Sequence, residues 1–217
     1  MVCKSINLNA VPEENYREVF HILSPARQSR ILAMKTDEEK RNAVAFELLA
    51  RKCLSELTDA PEFAFNLLTG INKLCLVGNF SAYFSLSMAG DFLCCAADKS
   101  PVGIDCRELV PFRFSDIQPE MSDTEIRRIF STTVRSFADV VRLDVCDVKE
   151  EIDQYWTLRT MKEAYFTALG RTFRKLKDVS FDFTKQPPLC SDPRFSYSVT
   201  HKSLDGKYIF SVVHKNM

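Results

Sequence analysis

The chain has no surplus charge of either sign: Lys plus Arg and Asp plus Glu each number 29 among 217 residues. A general nucleic-acid binder carries a basic excess, so that class is set aside, although a local basic patch is not. No Cys-x-x-Cys occurs among the eight cysteines, and only three histidines accompany them, which argues against a structural zinc site. No apolar run approaches the length of a membrane span. The N-terminus, with Lys4, Asn7 and Asn9, has no long apolar segment of the kind a signal peptide needs. Low-complexity segments and residue-level repeats are also missing. These absences describe a reduced, cytoplasmic protein with room for one large domain or two small ones. Cys94 and Cys95, adjacent in an apolar run, read as buried free thiols.

What is present is a mixed pattern of helices and strands. Val2 to Leu8 reads as a strand, and Pro12-Glu13-Glu14 opens a helix with Tyr16, Val19, Phe20 and Leu23 as its stripe. Ser24-Pro25 is a second start signal. Asp37-Glu38-Glu39 opens a longer helix that Asp59-Ala-Pro61 breaks. Phe63–Leu67, Tyr83–Ser87, Phe92–Ala97 and the short Val102–Asp105 have strand character. Pro111 to Met121 is the least regular segment and is the candidate linker or inter-domain loop. Ser122-Asp-Thr-Glu125 has the form of a capping box. Leu176 to Phe183 alternates like a strand. Phe195 onward forms a hairpin through Asp205-Gly206. The fold class is α+β with antiparallel sheet.

One stretch organises the rest. Trp156 to Gly170 has no internal Pro or Gly and reads as a single helix that Gly170 stops. At roughly 100° per residue, Leu158, Met161, Tyr165, Ala168 and Leu169 fall on a core face. Trp156, Thr160, Glu163 and Thr167 fall on the opposite, exposed face, where a central carboxylate has no packing reason. Far upstream, Asp105 ends a strand-like run. Two carboxylates from distant elements can share one magnesium ion when phosphate oxygens and waters complete the octahedron. Plainer accounts also fit these residues. Asp105 can be a strand-end turn residue, Glu163 can pair with Arg159, and Arg27 and Arg30 can form one solvated face.

Several short motifs, in order, resemble the Sfp-type 4′-phosphopantetheinyl transferase family. Ser24-Pro25-Ala-Arg27-Gln-Ser-Arg30 and the helix to Arg51 resemble its N-terminal half. Gly70-Ile-Asn-Lys73 resembles its Gly-Lys-Pro loop, and Phe84-Ser-Leu-Ser87-Met88-Ala-Gly90 its Phe-Asn-x-Ser-His-Ser-Gly motif. Val102-Gly-Ile-Asp105 and Trp156-x₅-Lys162-Glu163-Ala164 resemble its two signature blocks. The resemblance implies a pseudo-twofold pair of α/β halves, 1–104 and 105–217, with coenzyme A in the cleft between them. It implies transfer of the phosphopantetheine arm to a serine of an apo carrier protein by a cytoplasmic monomer. Asp105 and Glu163 would be magnesium ligands, and Glu163 would also help deprotonate the serine. Lys162 would face the phosphates. Arg27, Arg30 and Lys73 would contact the 3′-phosphate or adenine end, with Ser87 beside that phosphate.

The chain departs from the family pattern at three places. Met88 stands where the motif has histidine, Arg107 where it has a second acid, and Thr167 where it has a lysine. Arg107 can oppose a cation or bind pyrophosphate. Glu108, one residue later, would point to the other face of a strand. Two readings therefore compete. One is a magnesium-dependent transferase, and the other is a degenerate relative that binds coenzyme A or a carrier protein without catalysis.

Overall fold

In the computed structural model, which describes residues 1–65, 67, 75–76, 81–131, 136–171, 175–202 and 205–216, the chain opens with β1 (Val2–Asn7). Two short helices follow, α1 (Glu13–Ile22) and α2 (Pro25–Leu32). Ser24 caps α2 as read, its hydroxyl accepting from the Arg27 N–H. The long helix α3 (Asp37–Thr58) starts at a capping box, Thr36 with Glu39, and stops at Asp59, whose φ of 57° is left-handed. Glu62–Ala64 is a 3-10 turn behind Pro61, so the strand expected from Phe63 does not start there.

Strands β2 (Cys75–Leu76), β3 (Tyr83–Ala89) and β4 (Phe92–Asp98) join β1 in an antiparallel sheet of order β1-β4-β3-β2. β4 is buried along its whole length, including both adjacent cysteines. The period of two explains this. Leu93, Cys95 and Ala97 pack with the α3 residues Leu49, Cys53 and Leu54, while Phe92, Cys94 and Ala96 belong to a second cluster on the other face.

That second cluster is shared with β5 (Val102–Glu108) and β9 (Tyr208–Lys215), through Val102, Ile104 and Cys106 and through Tyr208, Phe210 and Val212. β5 is longer than its apolar sequence indicated. It pairs with β9 as far as Glu108↔Tyr208, so its polar end is held by the ladder and not by burial alone. The hairpin partner of β9 is β8 (Phe195–Lys202), giving the sheet β5-β9-β8.

Where the two sheets meet, β5 lies beside β3 with hydroxyls in place of a ladder. Ser85 Oγ accepts from Ile104 N–H at 3.3 Å, and Ser87 Oγ accepts from Cys106 N–H at 3.0 Å. Two serines two residues apart thus satisfy the edge donors of β5, which would otherwise be buried without partners.

The segment read as a linker is core. Phe112, Phe114, Ile117 and Met121 are buried with Tyr155 and Leu158, around the short helix α4 (Phe114–Ile117). Its irregular sequence reflects a turn packed by bulky side chains. Next come α5 (Asp123–Ile129), opened by the expected Ser122–Glu125 capping box, and α6 (Phe137–Leu143). Then comes α7 (Lys149–Ala168), the organising helix. The alternation from Leu176 yields a 3-10 turn, Leu176–Asp178, and a two-residue ladder of β6 (Phe181–Asp182) with β7 (Leu189–Cys190).

α7 is not amphipathic in place. The face read as exposed is buried: Thr160 at 0%, Thr167 at 5% and Glu163 at 6% exposure. The reason is that α7 lies across β5 and β9. The approach depends on Gly103. A Cβ there would lie 2.0 Å from the Ala164 carbonyl oxygen and 2.5 Å from the Ala168 nitrogen. These are backbone atoms, so the helix itself would have to move. Gly103→Ala is expected to cost about 1–3 kcal/mol, as overpacking does, read from the urea midpoint. An unchanged midpoint would contradict this packing.

No helix among the described residues is long and apolar enough to cross a membrane. Cys3, Cys53, Cys94, Cys95, Cys106, Cys146 and Cys190 are free thiols, and burial pushes the Cys3 thiol up to about 12.

Candidate active site

Asp105 and Arg107 occupy alternate positions of β5, so both side chains project toward α7, opposite Ile104 and Cys106. Glu163, in the middle of α7, faces them. Arg107 Nε donates to Asp105 Oδ2 at 2.8 Å and Nη2 to Oδ1 at 3.4 Å, while Nη2 lies 3.9 Å from Glu163 Oε1. The two carboxylates singled out in the sequence therefore converge, but on a guanidinium. They are nearly sealed, at 3% and 8% side-chain exposure, whereas Arg107 is 37% exposed and covers them. Burial works against the Arg107 charge. The Asp105 carboxylate, by charge and hydrogen bond, and the Glu163 charge outweigh it and push its pKa above the usual arginine value. Below this cluster, Thr160 and Ser211 hydroxyls share a 2.7 Å hydrogen bond that ties α7 to β9, and Ser211 is the ladder partner of Asp105.

Other expected site residues lie elsewhere. Lys162, next to Glu163 but turned by one helical step, is 0% exposed. Its Nζ donates to Glu125 Oε2 at 2.7 Å and to the Glu120 carbonyl at 3.2 Å. Burial pulls its pKa below the lysine value against the bond to Glu125, which raises it. The same Glu125 oxygen accepts from the Ser122 N–H, so one capping carboxylate also serves as a buried counter-ion. Arg159 does not pair with Glu163. It binds Glu120 at 3.0 Å and donates to the Tyr155 hydroxyl. Ser87 is engaged on β5, Met88 is 38% exposed, and Glu108 pairs with Lys207. Trp156 donates to the Val110 carbonyl.

In the N-terminal half, Arg27 and Arg51 share one buried acid. Arg27 Nε donates to Glu47 Oε1 at 2.8 Å, and Arg51 Nε lies 3.3 Å from Glu47 Oε2. Arg51 also donates to the Glu62 carbonyl. Together with Arg30, residues Arg27, Glu47 and Arg51 line a cavity of about 530 Å³, with Phe63 and Phe65 also in its wall. Three guanidinium groups against one carboxylate leave net positive charge, which suits a phosphate. Glu47 was not singled out in the sequence. Its spacing of four residues from Arg51 on one helix was the available signal. Lys73 and its Gly70 loop lie outside the described residues.

The oxygens of Asp105 and Glu163 are of the right kind for magnesium. As they stand, however, they do not fit the ion, because Arg107 Nη2 already faces one oxygen of each, at 3.4 Å and 3.9 Å, and supplies the cation. No group of three or more His, Cys, Asp or Glu side chains among the described residues is placed to hold a metal.

No family model matches the chain. Over 161 residues it is 26% identical to the 4′-phosphopantetheinyl transferase Sfp of Bacillus subtilis (strain 168), a match that takes in 73% of this chain. The match spans 65% of that relative's length, just under two thirds. The similarity points to a distant relationship with phosphopantetheinyl transferases.

Proposed function

We propose that this protein transfers the phosphopantetheine arm of coenzyme A to a serine of an apo carrier protein. The observation that carries the reading is the convergence of Asp105 and Glu163, from β5 and α7, at one buried cluster. The distant similarity to a phosphopantetheinyl transferase supports it. With it goes a division of labour between residues 1–104 and 105–217. The first half would hold the 3′-phosphate and adenine end, and the second would hold the reacting diphosphate.

In this reading Arg27, Arg30 and Arg51 take the 3′-phosphate, with Glu47 fixing the angle of two of them. Lys73 belongs to the same proposal. The exposed edge of Arg107 meets a diphosphate oxygen. Glu163 accepts the proton of the carrier serine. The serine oxygen then bonds to the phosphorus bearing the pantetheine, and the bond from that phosphorus to 3′,5′-ADP breaks. Lys162 is assigned to holding α7 against α5. Ser87 is assigned to joining the sheets.

The test is mass spectrometry of an apo carrier protein incubated with this protein and coenzyme A, with and without magnesium. A gain of one phosphopantetheine arm is expected. The competing reading, a non-catalytic binder, is favoured by the guanidinium lying where a cation would act. It predicts no mass gain with coenzyme A binding still measurable by calorimetry.

A further inference from the structure

The carboxylates of Asp105 and Glu163 are each within ion-pair distance of the same nitrogen, Nη2 of Arg107. That nitrogen is anchored by a strand whose ladder with β9 continues through Arg107↔Ile209 and Glu108↔Tyr208. It is also anchored by the second fork contact, Nε to Asp105 at 2.8 Å. An intramolecular partner of this kind faces its site at an effective concentration of roughly millimolar or above. A divalent ion needs its oxygen ligands at about 2.0–2.1 Å for magnesium, so to bind the two oxygens that face Nη2 it has to displace the guanidinium. Exposure runs the same way: Arg107 is open to solvent and the carboxylates behind it are not.

We propose that Arg107 is the resident cation of this site and that its guanidinium excludes divalent ions from Asp105 and Glu163. The site is then a two-carboxylate pocket already neutralised by a cation of its own chain, with Arg107 deciding which other cations it admits. The inference depends on the transfer reading only for the use of the site. Its experiment measures ion binding, so failure here and failure of transfer are separate results.

The probe is Mn²⁺, followed by the loss of the free-ion electron paramagnetic resonance signal on titration of the full chain. Wild-type protein is expected to bind Mn²⁺ weakly. Arg107→Ala, and Arg107→Gln as the variant that keeps a shorter, uncharged polar side chain, are expected to bind at least tenfold more tightly. Adding Asp105→Asn should remove that gain. Equal affinity in wild type and both variants, or a gain that survives Asp105→Asn, would overturn the proposal. So would tight binding by the wild type that Asp105→Asn abolishes, a measurement that needs no Arg107 variant to fold.

Discussion

Glu163→Gln is expected to remove transfer almost completely, by about 10²–10⁴-fold, the range for loss of a positioned general base. The substitution keeps the shape of a side chain that is 8% exposed and packed between α7 and β5, so the fold should survive. What is lost is the capacity to take the serine proton, together with the charge that faces Arg107 Nη2 at 3.9 Å. The measurement is the rate of arm transfer by mass spectrometry, with circular dichroism as the control for folding. Asp105→Ala should also lose activity, because Arg107 would lose both of its fork contacts. Wild-type rates in Glu163→Gln would remove the base from this residue. A binding-only protein would show no rate to lose, and the two outcomes are distinguished by the wild-type assay.

The largest effect on stability belongs to Lys162. Its ammonium is fully enclosed, and Glu125 is at 4% exposure. Breaking such a pair leaves one buried charge uncompensated, at a cost of about 3–5 kcal/mol. Lys162→Met is therefore expected to lose this amount in denaturant unfolding. The double change Lys162→Met with Glu125→Gln should recover part of it, since neither partner is then charged. If Lys162 instead served a phosphate, the single variant would fold with near wild-type stability and bind coenzyme A poorly.

Much of the local structure was legible. Ser24-Pro25, the Asp37 start, the Ser122–Glu125 box and the terminal hairpin all appear where capping and turn chemistry place them. These signals act within a few residues, so sequence order carries them. Reading failed where burial is decided by remote elements. Pro111 to Met121 lacks periodicity but is packed into the core by Tyr155 and Leu158. The polar face of α7 reads as wet, yet two strands cover it.

The site divides along the same line. The resemblance of two short blocks to a known family marked Asp105 and Glu163, and the period of two on a strand put Arg107 on the same side as Asp105. Folding decided which partners those side chains meet. Glu163 faces β5 because Gly103 lets α7 approach to backbone contact. Lys162, its immediate neighbour, is carried one helical step away to Glu125, a residue of α5. Charge type and face are properties of a chain position and its neighbours. Which opposite charge a buried group finds depends on elements that pack together from distant parts of the chain, and only the tertiary structure supplies that.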